Sequence, residues 1–383
     1  MGYHGDILGY LEEQLPEMVA LLETMVRIES PSSDVSSHLQ VLSLLEEEFS
    51  ARGMSTRRID GENSIQHLYA RSRARQRNGK YQLMIGHLDT VWPLGTLEEM
   101  PLVNDGQTLH GPGVYDMKAG VVQMIYALQA LRHFGLEPEV TPVVFINADE
   151  EIGSHDSGRS IRRLARRADR AFVLEPSLGP DGQIKTRRKG VGRYTLHVRG
   201  KAAHAGLDPE KGASAILELS YQIQKLFELN DPDAGISVNV GMIDGGLRPN
   251  VIAPESTAVV DVRVPTHALA DSIHEKILAL YSHTEGVEVS VEGRIGRPPM
   301  EQNAEARRLW EIARARGREL GLELEQAAAG GGSDGNTTSQ YTPTLDGMGA
   351  VGAGAHAHHE HIELDRLAGR TALLSLLLME APL

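Results

Sequence analysis

The sequence predicts an α/β protein, a mixed and mainly parallel sheet flanked by helices, with an α+β domain inserted into it. Three observations carry this reading. Apolar runs of strand length, Tyr81–Ile85, Val143–Asn147 and Ala171–Leu174, recur between amphipathic helical stretches, and each runs into a histidine or a carboxylate within a few residues. From about residue 185 to 297 the order becomes strand, helix, strand, strand, helix, strand, a split unit able to fold as its own layer of sheet and helices. The helix-rich pattern then resumes at Asn303. The expected boundaries are therefore 1–184 and 298–383 for the two halves of the outer domain, and 185–297 for the insertion.

Leu8–Ile28 carries Leu11, Leu15, Val19, Leu22 and Met25 at helical spacing, and Ser30-Pro31-Ser32-Ser33 ends it. His38–Arg52 repeats the pattern. Ser64–Ala70 and Tyr81–Ile85 read as strands joined by the basic turn Arg71–Lys80, and Ala119–Arg132 as a helix behind a glycine-rich loop. Inside the insertion, Arg193–Arg199, Ile236–Ile243, Thr257–Val264 and Val287–Gly293 read as strands, with helices at Ala213–Leu229 and Ala270–Ser282. Asn303–Leu320 is a helix, Leu322–Ala328 is expected to return to the main sheet, and a last helix starts at Leu364.

The composition narrows the function classes. The 383 residues are 41% hydrophobic, as in folded soluble proteins, and the net charge of −14 disfavours general binding to phosphate backbones. There is no cysteine, so disulfides and thiolate metal sites are excluded and any zinc must be held by His, Asp and Glu. No apolar run is long enough to cross a bilayer and no secretory signal is visible, which leads to the expectation of a cytoplasmic protein.

The candidate site residues cluster at strand ends. His87-Leu88-Asp89 closes the first buried strand; a histidine and a carboxylate two apart can face the same way, one binding a metal and the other fixing its tautomer. In His110-Gly111-Pro112-Gly113-Val114-Tyr115-Asp116, the loop delivers Asp116 to a helix head. A helix cap would explain it equally, whereas a phosphate loop fits poorly because the glycine spacing is wrong and a carboxylate faces the anion. Asp149-Glu150-Glu151 puts three acids after a buried strand, where water, a metal or basic partners must neutralise them. Glu175 ends the next strand, and His356, His358, His359 and His361 crowd the carboxy-terminal part.

Taken in order, GHLDTVWP, GPGVYDMKAG, NADEEIGS, LEPS, GKAAHAG, RPNVIAP, GGGSDGN and GAHAHHEHI resemble the M20 family of dinuclear zinc aminoacylases and carboxypeptidases, especially its carboxypeptidase G2-like, glutamate carboxypeptidase branch. The resemblance covers nearly the whole chain. It implies two zinc ions per subunit, with cobalt or manganese as substitutes: His87 and Glu175 on one, Glu151 and His356 on the other, and Asp116 bridging. Asp89 would orient His87, and Glu150 would be the general base for a water activated by both ions. The Asp116–Met117 peptide would be cis. The other carboxy-terminal histidines read as exposed loop residues.

The resemblance further implies that the insertion is a lid and dimerisation domain of a homodimer. Its His204 would stabilise the developing oxyanion, and Asn250 and Arg297 would grip a substrate carboxylate. Gly332 and Ser333 would line the same pocket. At the place where glutamate-releasing members carry a lysine beyond the Glu-Pro, this chain has Gln183, with Lys185 two residues further on. The expected function is hydrolysis of an amide in a small N-acyl-amino acid or peptide-like substrate with a free carboxylate. A deacylase of acetylornithine or succinyl-diaminopimelate type, a dipeptidase, and a catalytically silent metal-binding relative are the alternatives.

Overall fold

The computed structural model describes residues 4–73 and 79–383; positions 74–78, in the middle of the expected turn, lie outside the described residues. Two compact units are present, one formed by Met1–Thr186, Gln302–Ala328 and Ser333–Leu383, the other by Arg187–Glu301 and Ala329–Gly332.

The first unit is built on a six-stranded sheet in the order Met54–Asp60, Gln66–Ser72, Thr141–Asn147, Tyr81–His87, Ala168–Val173, Thr344–Leu345. The inner pairs are parallel and the first two are antiparallel, so the sheet is mixed and mainly parallel, as the sequence predicts. Parallel strands covered on both faces read as continuous apolar runs, and here alternate residues supply two separate cores. Leu83, Ile85, Val143, Phe145, Ala171 and Val173 pack on one face. Met84, Val144, Ile146 and Phe172 pack on the other, against the helices Ala119–His133 and Leu364–Leu378.

Register then decides where the chemistry sits. His87, the last residue of its strand, pairs with Asn147, and Ile85 pairs with Val173. The residues that follow these strands, Asp89, Glu150, Glu151 and Glu175, therefore emerge at one carboxyl edge, where open α/β sheets carry their sites.

Three local readings change. The expected helix Leu8–Ile28 is two helices, His4–Glu13 and Leu15–Arg27, because Pro16 in the first turn of the second has no N–H to continue the ladder. Met54–Asp60 is an additional strand; its sequence, MSTRRID, is polar because it lies at the sheet edge with only Met54 buried. The strand after Leu320 is Gln326–Ala329, and it joins Ile184–Arg188 in a two-stranded ribbon; Thr344–Leu345 is the segment that returns to the main sheet. A small four-stranded sheet, in the order Gly352–Ala353, His361–Glu363, Thr108–His110, Val103–Asn104, completes the unit.

The second unit is a four-stranded antiparallel sheet ordered Ser237–Gly245, Glu255–Val264, Gly190–Arg199, Glu288–Arg297, with helices Ala215–Phe227 and His267–Leu278. Both helices are capped by hydroxyls, Ser214 accepting from the Leu217 N–H and Thr266 from that of Leu269. Tyr194, Leu196, Leu219, Val260, Val262 and Ile273 form its own core.

Candidate metal centre

His87 is buried at the strand end, and its ring is held by the Nδ1–H, which donates to the backbone carbonyl of Asp89 at 2.8 Å. That places a proton on Nδ1 and turns Nε2 toward Oδ1 of Asp116 at 3.2 Å and Oε1 of Glu175 at 3.7 Å. The other oxygen of Asp116, Oδ2, lies 3.4 Å from Nε2 of His356, which is also 3.1 Å from Oε2 of Glu151. His356 adopts a left-handed backbone conformation, φ +61°, in the turn that presents it. Asp116 thus stands between two sets of donors. Two further groupings bring ligand atoms within 4.8 Å of one another, His87 with Glu150 and Glu175, and His87 with Asp116 and Glu151.

The Asp116–Met117 peptide is cis. The helix that follows packs so closely on the Glu175 strand that a Cβ on Gly120 would lie 2.0 Å from the Leu174 carbonyl oxygen. Only glycine permits that approach.

Charge explains why the cluster calls for cations. Asp116 and Glu151 find their ion-pair partners in imidazoles that become cations only by protonation. His356 is pushed up to about 10 by hydrogen bonds to Asp116 and then Glu151. Burial alone would lower His87, but hydrogen bonds to Asp116 and Asp89 outweigh it and hold it well above the usual imidazole range. Burial likewise favours the neutral form of Asp116, yet its bonds to His356 and His87 leave it well below the usual carboxylate range. Glu151 is raised, chiefly by burial. Positive charge is thus stabilised where nitrogen and oxygen lone pairs converge, and a sulfur-free donor set of this kind fits zinc or another first-row divalent ion.

Asp89 has contacts besides the one with His87. Its carboxylate lies 3.5 Å from His87 Nδ1, and its oxygens also accept from neighbouring groups. Oδ1 accepts the Glu150 N–H and Oδ2 the Glu151 N–H, each at 3.2 Å, and Oδ2 also accepts the Ser32 hydroxyl at 2.7 Å. Glu150 and Glu151 lie in the turn after the strand, so Asp89 fixes that turn through its backbone amides.

The residues expected to touch substrate fall in different places. His204, Asn250, Arg297 and Gly332 belong to the second unit. His204 is exposed, and its Nδ1 accepts the N–H groups of Gly206 and Leu207 at 3.1 and 3.2 Å, so a neutral ring carries its proton on Nε2 as a donor. The Asn250 carbonyl accepts the Ala205 N–H beside it. Ser333 belongs to the first unit, where it caps the helix Asp334–Thr338: fully buried, its hydroxyl binds Asp346 and the Gly335 N–H. His358 and His359 are exposed.

One residue of the site goes unread in the sequence. Glu360 is buried, with Oε1 accepting the N–H groups of Tyr115 and Asp116 and Oε2 those of Gly113 and the Trp92 indole, at 2.9–3.0 Å. Its partners are backbone amides of a distant loop, which leave no mark in composition. The one available signal is its place four residues after His356. Lys118 is a second buried group, its ammonium donating to the Met25 and Ile28 carbonyls at 3.0 Å; burial lowers it to about 8.

The model of peptidase family M20/M25/M40 matches residues 83–380. The chain belongs to this family. An M20 relative, carboxypeptidase G2 of Pseudomonas sp., is 26% identical over 379 residues, covering 96% of this chain and 90% of the relative. Two solved structures share the fold. Aminopeptidase PepT of Bacillus cereus has a TM-score of 0.78 at 22% identity, covering 96% of this chain and 98% of that one. The Bacillus subtilis YxeP protein, described as a dinuclear metal-binding peptidase of the M20 family, has a TM-score of 0.70 at 15% identity, covering 96% and 98%. This M20 chain is accordingly a hydrolase of metallopeptidase type. Among its described residues, no helix is long and apolar enough to cross a membrane.

Proposed function

We propose that this M20 hydrolase cleaves the amide bond of an N-acyl-amino acid or peptide-like substrate bearing a free carboxylate, in the manner of a glutamate carboxypeptidase. Two zinc ions would be held by His87, Asp116, Glu151, Glu175 and His356. The observation that supports this most is the divided carboxylate of Asp116, Oδ1 toward His87 and Oδ2 toward His356. One carboxylate can then serve two ions, with Glu175 beside His87 and Glu151 beside His356. When bound, such a pair supplies Lewis acidity and lowers the pKa of water toward ~7.

The chain's own residues do the rest. Glu150 takes a proton from the attacking water and returns it to the leaving amine, its backbone held by Asp89 while the side chain reaches the cluster. His204 offers its Nε2–H to the oxygen of the breaking amide, the arrangement that stabilises a developing oxyanion. Arg297 with Asn250 reads the free carboxylate, a task for which the planar guanidinium fork is suited, and Gly332 contributes backbone groups. The second unit acts as lid and homodimer surface. Its edge strand Ser237–Gly245 has one neighbour in the sheet and exposes Met242 and Ile243, while the adjoining helix exposes Ile216, Leu217 and Tyr221.

A second reading, an N-acyl-amino-acid deacylase that does not select glutamate, is favoured by Gln183. Its amide donates to Glu325 at 2.9 Å, so no cation stands at that position.

The test is a panel of N-acyl-amino acids and dipeptides read by released amine, with each active substrate compared to its carboxamide, in wild type and Arg297→Ala. The proposal requires wild type to prefer the acid and the variant to lose most of that preference. Equal slowing on both substrates would make Arg297 a hinge residue.

A further inference from the structure

Outside the set of residues proposed as metal ligands, the small four-stranded sheet places His110 directly opposite His361 in an antiparallel ladder. The ring centroids are 4.9 Å apart and the ring planes are inclined by 30°. In the same row the flanking residues are Val103 and Ala353, so the two imidazoles alone offer side-chain donor atoms there.

Both tautomers are set by the protein. The Nδ1 of His361 lies 2.9 Å from the His359 carbonyl, which can only accept, so Nδ1 carries the proton and Nε2 keeps a lone pair. His110 is fixed through a relay. The Thr108 hydroxyl donates to the Asp105 carboxylate at 2.9 Å and has no second proton, so at 2.9 Å from His110 Nε2 it must accept. Nε2 of His110 therefore carries the proton and Nδ1 keeps a lone pair. A histidine whose far nitrogen is tied to a carbonyl or to a carboxylate relay is the usual form of a metal-ligating histidine.

We propose that His110 and His361 form a separate site for one nitrogen-preferring divalent ion of the zinc, nickel or copper class. Two imidazoles that bridge one ion at about 2.0–2.1 Å each have a span that the 4.9 Å centroid separation of these facing rings does not exceed. Imidazole pairs select such ions over magnesium or calcium, which take oxygen ligands. His110 lies six residues before Asp116, and His361 five after His356. An ion here would clamp together the two strands whose continuations carry those residues.

The purified enzyme, its metal content measured first, is titrated with Ni²⁺ in equilibrium dialysis near neutral pH. One further ion per chain is expected. His110→Gln and His361→Gln should each weaken it ten-fold or more, leaving the starting metal content and kcat unchanged. Thr108→Val, which keeps both imidazoles, should weaken it by a smaller factor. The site is overturned if wild type takes up no further ion, if the ion persists in either histidine variant, or if it leaves only with His358→Gln or His359→Gln. Because His110→Gln and His361→Gln leave the ligands proposed for the dinuclear centre in place, loss of the further ion in these variants assigns it to this pair and not to that centre.

Discussion

The carboxylate of Glu360 accepts the backbone N–H of Asp116 at 3.0 Å, across 244 residues of sequence. Three more N–H groups converge on the same two oxygens. In Glu360→Gln one acceptor becomes a donor facing buried donors, and each unsatisfied group costs about 1–3 kcal/mol. The loop bearing Asp116 should loosen, and zinc affinity, read by competition with a chelator, should fall about 10–100-fold. Trp92 is one of two tryptophans, so a change in its emission should accompany the loss. Unaltered affinity with altered emission would leave Glu360 as a packing residue only.

Ligand atoms of Glu150, His87 and Glu175 lie within 4.8 Å of one another, so the role proposed for Glu150 as base has a competitor in metal binding. Glu150→Gln should keep both ions in elemental analysis while kcat falls by about 10²–10⁴. Departure of an ion with the activity would reassign Glu150 as a ligand.

The imidazole of His356, raised from 6.5 to about 10, gives a pH dependence with a definite sign. The folded chain binds that proton more tightly than the unfolded one. Its stabilising contribution is therefore complete below pH 6.5 and is lost as pH rises toward about 10. The chelator-stripped protein should melt progressively lower across that window. If His356 is a ligand as proposed, metal uptake near neutral pH displaces the proton, and calorimetry in buffers of unlike ionisation enthalpy should show proton release. Heats independent of buffer would mean that His356 is neutral before metal arrives.

A methyl group at Gly120 would strike the Leu174 carbonyl, a backbone atom that cannot swing aside. Gly120→Ala should cost about 1–3 kcal/mol in denaturant unfolding, as overpacked cores do. An unchanged midpoint would mean that the helix moves freely on the Glu175 strand.

His204 is expected to act on the transition state, so His204→Ala should lower kcat more than it raises KM. If it serves a partner subunit's cleft, mixing His204→Ala with Glu150→Ala chains should restore activity through hybrid dimers. No recovery after demonstrated subunit exchange would place its action within one chain.

What could be read in the sequence follows from what leaves a pattern there. Val143–Asn147 and Tyr81–Ile85 announce themselves because a strand buried on both faces is apolar throughout. The split unit is legible for the related reason that one-sided sheets alternate, as Gly190–Arg199 does. Met54–Asp60 escaped because its edge position lets polar residues occupy it. The break between the first two helices turns on Pro16, whose first-turn position a periodicity argument passes over. In the site, the histidines and acids were visible as residue types at strand ends. The work of Asp89 and Glu360 was not, because both bind backbone amides, which every residue carries.

The tie between Glu360 and the Asp116 loop also bears on how the enzyme comes into being. Translation delivers His87, Asp116, Glu151 and Glu175 early, then more than a hundred residues of the second unit, and only afterwards His356 and Glu360. Until those last residues leave the ribosome, the loop amides have no acceptor and one imidazole of the pair is missing. A chain arrested upstream of them carries most of the metal-binding side chains but not their assembled geometry. Hydrolysis at the proposed centre therefore cannot begin until residues 356–360 have been made.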